Sequence, residues 1–189
     1  GPVGGWEVGC DRHPKVYGFG CNSIAKKLVE GAFPAGLDLA LGGGGSRLES
    51  YYDSFSQQFP FGYLLKNQKD FLKWDTFNKP QSQSGPVLGV FASGHMDFES
   101  DRSDKQPSLK QMTKKALQYL QNRDENYLLV IESARIDHAH HKGNAARALA
   151  ETAMLADSVK LADEMTSDDD TLIIVTAEHS NTLVMPCHV

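Results

Sequence analysis

The chain has 189 residues, 40% of them hydrophobic, and a net charge of −5 with acidic and basic residues interspersed along its length. That is about one domain with apolar material for a core, and it offers no basic footprint for nucleic acid. No apolar run approaches the ~18 residues that cross a bilayer, and the first residues lack the basic, apolar, small-residue layout of a secretory signal.

Cys10, Cys21 and Cys187 have no Cys-x-x-Cys spacing and point to neither a zinc knuckle nor a disulfide framework. Residues 1–21, with Gly4, Gly5, Gly9, Gly18 and Gly20, have no usable period and are expected to be an irregular lead-in, with 22–189 forming part of a single domain. Ile24, Leu28 and Val29 then share a helical face after Asn22 or Ser23 as cap, and Gly31 with Pro34 ends that helix. Leu37 to Leu41 alternates as a strand and runs into Gly42-Gly43-Gly44-Gly45. No Lys-Ser or Lys-Thr follows in phosphate-loop spacing, so these glycines read as a strand-to-loop turn.

Residues 50–85 are aromatic and polar with weak period, with a short helix expected over Lys69 to Trp74 and a loop over Pro80 to Pro86. Val87 to Phe91 reads as a strand. A helix follows Pro107-Ser108, with Leu109, Met112, Ala116, Leu117 and Leu120 at helical spacing. Asn126 to Ile131 is a second apolar strand candidate. The longest helix spans 144–165, with Ala145, Ala148, Leu149, Thr152, Ala156, Val159 and Ala162 as its buried stripe and Arg147, Glu151, Asp157 and Lys160 opposite. Thr171 to Thr176 is a last apolar strand. Strand and helix alternate, which predicts an α/β fold with a largely parallel sheet and flanking helices.

Two of the expected strands end in acid-and-histidine clusters: "ESARIDHAHH" supplies Glu132, Asp137 and His141, and "AEHSN" supplies Glu178 and His179. In a parallel sheet with right-handed crossovers both clusters fall on one edge, where open α/β sheets place their sites. Asp137 and His141 are four apart, so one helical turn presents both together. Imidazole with carboxylate suits zinc, and carboxylates suit magnesium. His138 and His140 are expected behind the ligands or on the surface, and His95 on the surface.

The stretch from "ESARIDHAHHKGN" through "TLIIVTAEHSN" resembles the metal-binding half of alkaline phosphatases, whose motifs read approximately E-G-G-R-I-D-H-x-H-H and T-A-D-H-S-H. The likeness continues through "VLGVFASGHMDFESDR", "QPSLKQMTKKALQYLQ" and "CNSIAKKLVEGAFPAGLDLALGGGGSR", roughly residues 20 to 185. It implies an alkaline-phosphatase-like domain, here incomplete, that hydrolyses small phosphate monoesters through a phosphoserine. Glu132 would hold magnesium, Asp137 and His141 one zinc, and Glu178 with His179 a second zinc. A homodimer and a periplasmic or secreted location are implied likewise.

This sequence departs from the pattern at four positions. Glu178 replaces the family's aspartate, Asn181 the histidine three residues on, and Ser133-Ala134 the glycine pair. The Asp-Ser-Ala-x-Thr-Ala nucleophile segment is not found, nor is the distant zinc histidine, for which His188 lies too close. Asp53-Ser54 and Asp157-Ser158 read as solvated surface pairs. The chain is therefore expected to carry metal ligands without a nucleophile. The alternatives are a catalytically silent metal-binding module, or a sulfatase or phosphodiesterase of the wider superfamily.

Overall fold

A computed structural model describes residues 24–76, 85–123 and 125–181. The expected lead-in, most of the 80–86 loop, the three cysteines and His188 lie outside the described residues.

Helix α1 (Ile24–Lys27) widens into a π-turn over Leu28–Ala32, burying Ala25, Val29 and Phe33 at a four-residue step. Gly36, at φ +106°, turns the chain out of it. Strand β1 (Leu39–Gly42) leads through the glycines to α2 (Gly45–Leu48), a 3₁₀ turn (Glu49–Tyr51) and α3 (Tyr52–Gln58). Then come β2 (Tyr63–Leu65), α4 (Gln68–Lys73), β3 (Val87–Val90), α5 (Leu109–Gln121), α6 (Arg135–His141) and α7 (Ala145–Met165).

The sheet has the order β1-β3-β2 and both pairings are parallel, with Leu39 and Tyr63 flanking Val87. All four β3 residues are buried, as a central parallel strand covered on both faces requires. One face holds an aromatic cluster in which the Phe55 ring meets Phe33 at 5.0 Å and Phe59 at 5.2 Å. The other gathers Phe71, Trp74, Phe91 and Tyr119. Helix α5 starts on a capping box, where Ser108 and Gln111 exchange side-chain and backbone hydrogen bonds.

The four-glycine stretch is a turn, as its sequence implies. The amides at its end are already used: Gly44 N–H donates to Ala92 O and Gly94 O, Gly45 N–H to Ala92 O, and the following Ser46 N–H to Ser93 O. A Cβ on Gly43 would collide with the Gly94 carbonyl, so the two loops can pack this closely only through glycine.

The two remaining strand expectations are not met. Residues 126–131 and 171–176 run without strand pairing, and Leu128, Val130, Leu172 and Ile174 are 88%, 80%, 83% and 76% exposed. Apolar periodicity expresses a preference for burial, whereas a strand exists only beside a neighbour about 4.8 Å away. Among the described residues the outer edge of β1 has no such neighbour. Val87 and Phe91 N–H donate to Asp38 and Gly42 O, so the even-numbered β1 residues face β3 and the backbone groups of Leu39 and Leu41 face away. They face a cleft of about 680 Å³ whose far wall is Asn126 to Ala134.

Two expectations for the long helix also need correction. Its buried residues are Ala148, Glu151, Ser158 and Ala162, while Leu149 is 70% exposed. Glu151 lies inside because its carboxylate accepts the Glu99 N–H, and Ser158, read as a surface residue, is 1% exposed because its hydroxyl donates back to Met154 O. Apolar count alone does not reveal polar groups that find internal partners.

Candidate metal-binding site

Helix α6 has seven residues and presents Asp137 and His141 one turn apart, with His141 Nε2 3.4 Å from Asp137 Oδ2. The segment after 171–176 brings its own cluster to the same carboxylate. His179 Nε2 lies 3.9 Å from Asp137 Oδ1 and 3.2 Å from Glu178 Oε2. Asn181 donates its side-chain amide to Asp137 Oδ1 at 2.8 Å and sits 3.3 Å from His140 Nδ1. Of the five residues singled out from sequence, His141 and His179 thus meet Asp137 directly and Glu178 joins them only through His179. The fifth, Glu132, stands on the wall of the cleft beside β1.

The site is open: the side chains of His141, His179 and Glu178 are 69%, 48% and 90% exposed. The Asn181 hydrogen bond, the largest cause, holds the Asp137 carboxyl below its ordinary range. Asp137 therefore stays ionised and available to a cation.

The His179 ring gives a sharper test of what belongs here. Its Nδ1 lies 3.2 Å from the Ser180 carbonyl, a contact that is a hydrogen bond in the tautomer with the proton on Nδ1. In the neutral ring Nε2 then presents a lone pair to the Glu178 and Asp137 carboxylates. Facing acceptors repel unless the ring is protonated or a cation sits between them. A nitrogen-and-oxygen donor set of this kind suits zinc. In number it falls short: among the described residues no three His, Cys, Asp or Glu side chains are arranged to enclose an ion.

His95 is exposed, as expected, yet its ring packs edge-on against His138 at 4.2 Å. Burial and the Arg135 and Lys142 charges lower the pKa of His95, and burial, His95 and Arg135 lower that of His138, so both rings favour the neutral form. Sequence reasoning missed the Asn181 contact, although Asn181 sits two residues past a chosen ligand, where a side-chain amide is a natural orienting group. It also missed Phe98 and Glu151, whose partners lie in other elements.

A parallel sheet flanked by helices, with carboxylates and imidazoles gathered near Asp137 on a neighbouring helix and loop, defines an α/β architecture. The sequence profile described as alkaline phosphatase matches residues 10–187, and the chain belongs to that family. Against the tissue-nonspecific alkaline phosphatase of Homo sapiens it is 29% identical over 203 residues, covering 93% of this chain and 37% of the relative. The Gallus gallus isozyme is 32% identical over 189 residues (86% and 35%), and the membrane-bound alkaline phosphatase of Bombyx mori 33% over 133 residues (69% and 23%). A cold-active alkaline phosphatase from a psychrophilic Shewanella superposes with a TM-score of 0.61 at 23% identity, over 75% of this chain and 32% of that one, and shares the fold. The chain thus spans between about a quarter and little more than a third of the length of the relatives it matches.

Proposed function

We propose that the chain is the metal-binding portion of a phosphate monoester hydrolase. The observation that carries this is the gathering of Asp137, His141, Glu178 and His179, a nitrogen-and-oxygen donor set, in a chain of this family. Asp137 and His141 would hold one zinc, Glu178 and His179 a second, and Glu132 a magnesium ion. Bound metal would supply Lewis acidity toward a phosphoryl oxygen and lower the pKa of an attacking hydroxyl.

The remaining tasks fall to this chain's own residues. Asn181 fixes one oxygen of Asp137, and the other faces His141. The open site admits a small phosphate monoester. Neither candidate serine is suited to the nucleophile's part. Ser158 is buried with its hydroxyl donated to Met154 O, and Ser54 lies on α3, which packs beside the sheet. We therefore assign metal binding to these residues and the nucleophile to none of them. A periplasmic or secreted setting and a homodimer follow from the family likeness alone. No helix among the described residues is long and apolar enough to cross a membrane.

The test is zinc titration calorimetry alongside an aryl phosphate assay on the 189-residue chain. Binding in the micromolar range or weaker, lost in Asp137→Ala, is expected, with no phosphate release. Nanomolar binding indifferent to His141→Ala would reject the ligand assignment. Chelator-sensitive phosphate release would place a nucleophile within the chain. One observation favours a catalytically silent metal module as second reading: the Asn181 amide already occupies Asp137 Oδ1, removing one oxygen from an ion's reach.

A further inference from the structure

Helix α6 has two faces. At about 100° per residue, Arg135, Ala139 and Lys142 fall on one stripe, and Asp137 with His141 project roughly 200° away. The stripe has a definite seat. The buried Phe98 ring, 4% exposed, packs with Ala139 and Ala148. The Arg135 guanidinium lies 3.6 Å from its centroid, Arg147 at 4.8 Å and the Lys142 ammonium at 5.1 Å. One ring thus meets cations from both ends of α6 and from the first turn of α7. A seven-residue helix is too short to be stable by itself, and Ala134 gives it no side-chain cap. Its orientation must come from what it packs on.

The Phe98 loop is fixed in turn. Glu151 of α7 accepts the Glu99 N–H at 2.6 Å, Arg147 pairs with Asp101 at 2.7 Å, and Arg102 binds Glu99 at 2.8 and 2.9 Å. Three cations around one ring are tolerable because these carboxylates surround them. Arg135 also reaches His138 Nδ1 at 3.1 Å, while its Nε is buried without a hydrogen-bond partner, so the ring face is its main compensation on that side.

We propose that Phe98 is a positioning residue: as the common seat of Arg135, Lys142 and Arg147 it sets the rotation of α6 and so aims Asp137 and His141 at Glu178 and His179. The aiming part rests on the metal-binding function proposed above, but the seating of α6 does not, and the experiment separates them. The 189-residue chain is compared with Phe98→Leu, which keeps apolar volume without a π face, and Phe98→Tyr, which keeps the face. In metal-free protein, amide exchange across α6 should quicken about tenfold in the Leu variant, with α5 unchanged, and within twofold in the Tyr variant. Tenfold is ~1.4 kcal/mol, the order of a desolvated cation–π contact. Zinc affinity should fall by a similar factor in Leu and recover in Tyr.

Should Phe98→Leu not fold, the exposed Lys142→Gln serves instead, with α6 exchange quickened two- to threefold. Unchanged α6 exchange in the Leu variant, or in Lys142→Gln where that replaces it, would overturn the proposal, as would equal losses in Leu and Tyr. Faster exchange with no zinc binding in any protein would leave the seat standing and reject metal binding.

Discussion

The stretches Val87-Leu88-Gly89-Val90 and Leu128-Leu129-Val130-Ile131 are alike in composition and unlike in structure. The first is the buried centre of a three-stranded sheet, and the second runs past that sheet with Leu128 and Val130 almost fully in solvent. Thr171 to Thr176 repeats the second case. The difference lies in the neighbours: β3 has β1 and β2, whereas a cleft separates the β1 edge from residues 126–134. The sheet half is packed, and the half that carries the candidate ligands is held chiefly by α6 and α7. A site in this chain can be gathered by helices even where the extended segments leading to it find no strand partners.

The contrast breaks most readily through the core. Phe55 is fully buried between Phe33 and Phe59, and Phe55→Ala should cost about 3–5 kcal/mol in denaturant unfolding. Leu172→Ala, at a residue 83% exposed, should stay within about 0.5 kcal/mol. Comparable losses at the two sites would mean that 171–176 is packed in solution and that the two halves are equally built.

A smaller effect is expected at Lys115, which closes the end of α4. Its ammonium donates to Phe71 O at 2.6 Å and Trp74 O at 2.5 Å, and lies over the Phe71 ring at 5.0 Å. Lys115→Met preserves the stem and leaves those carbonyls unpaired, for a cost of about 1–2 kcal/mol. A neutral outcome would show that water replaces the ammonium and that the sheet half is looser than its geometry implies.

Strands β1 and β3 and the two halves of the donor cluster were legible in the sequence for the same reason: each depends on short-range spacing. The glycine turn, the helix start after Pro107-Ser108 and the Asp137-x-x-x-His141 step are local facts, and all appear in the structure. What was not legible depends on distant partners. Nothing near Glu151 signals that its carboxylate meets the Glu99 amide, and nothing near Ser54 signals α2, α3 and β2, whose aromatic residues pack by shape with little period. The strand expectations at 126–131 and 171–176 failed because sequence records how apolar a segment is but not which backbone lies beside it.

The exposed aliphatics give a third test. Leu128, Val130, Leu172 and Ile174 place bare apolar surface along unpaired segments, the arrangement that favours edge-to-edge association. The double variant Val130→Lys/Ile174→Lys should self-associate less than wild type in light scattering, with unfolding free energy changed by under about 0.5 kcal/mol. A marked loss of stability would show those side chains to be buried in solution.

The smallest expected effect falls on the contact joining the two halves. Glu151 is 6% exposed, and burial raises its carboxyl pKa, with Glu99 and Asp101 pushing the same way and the Glu99 amide and Arg135 opposing. A raised carboxyl pKa means that the folded protein favours the protonated form. Its contribution is fully present below about pH 4.5, the unfolded value, and is lost as pH rises through the folded pKa. Gln cannot ionise, and its side-chain oxygen can still accept the Glu99 N–H. Glu151→Gln and wild type should therefore melt alike near pH 4, and the variant should melt higher by a degree or two at pH 7, where ~1 kcal/mol corresponds to roughly 2–4 °C for a chain of this size. A variant that melts lower at pH 7 than wild type would show that attraction to Arg135 outweighs the cost of burial. Glu151 would then be an ionic tie between the sheet half and the ligand-bearing helices, and neutralising it should also quicken exchange in α6, because the loop that carries Phe98 would be released.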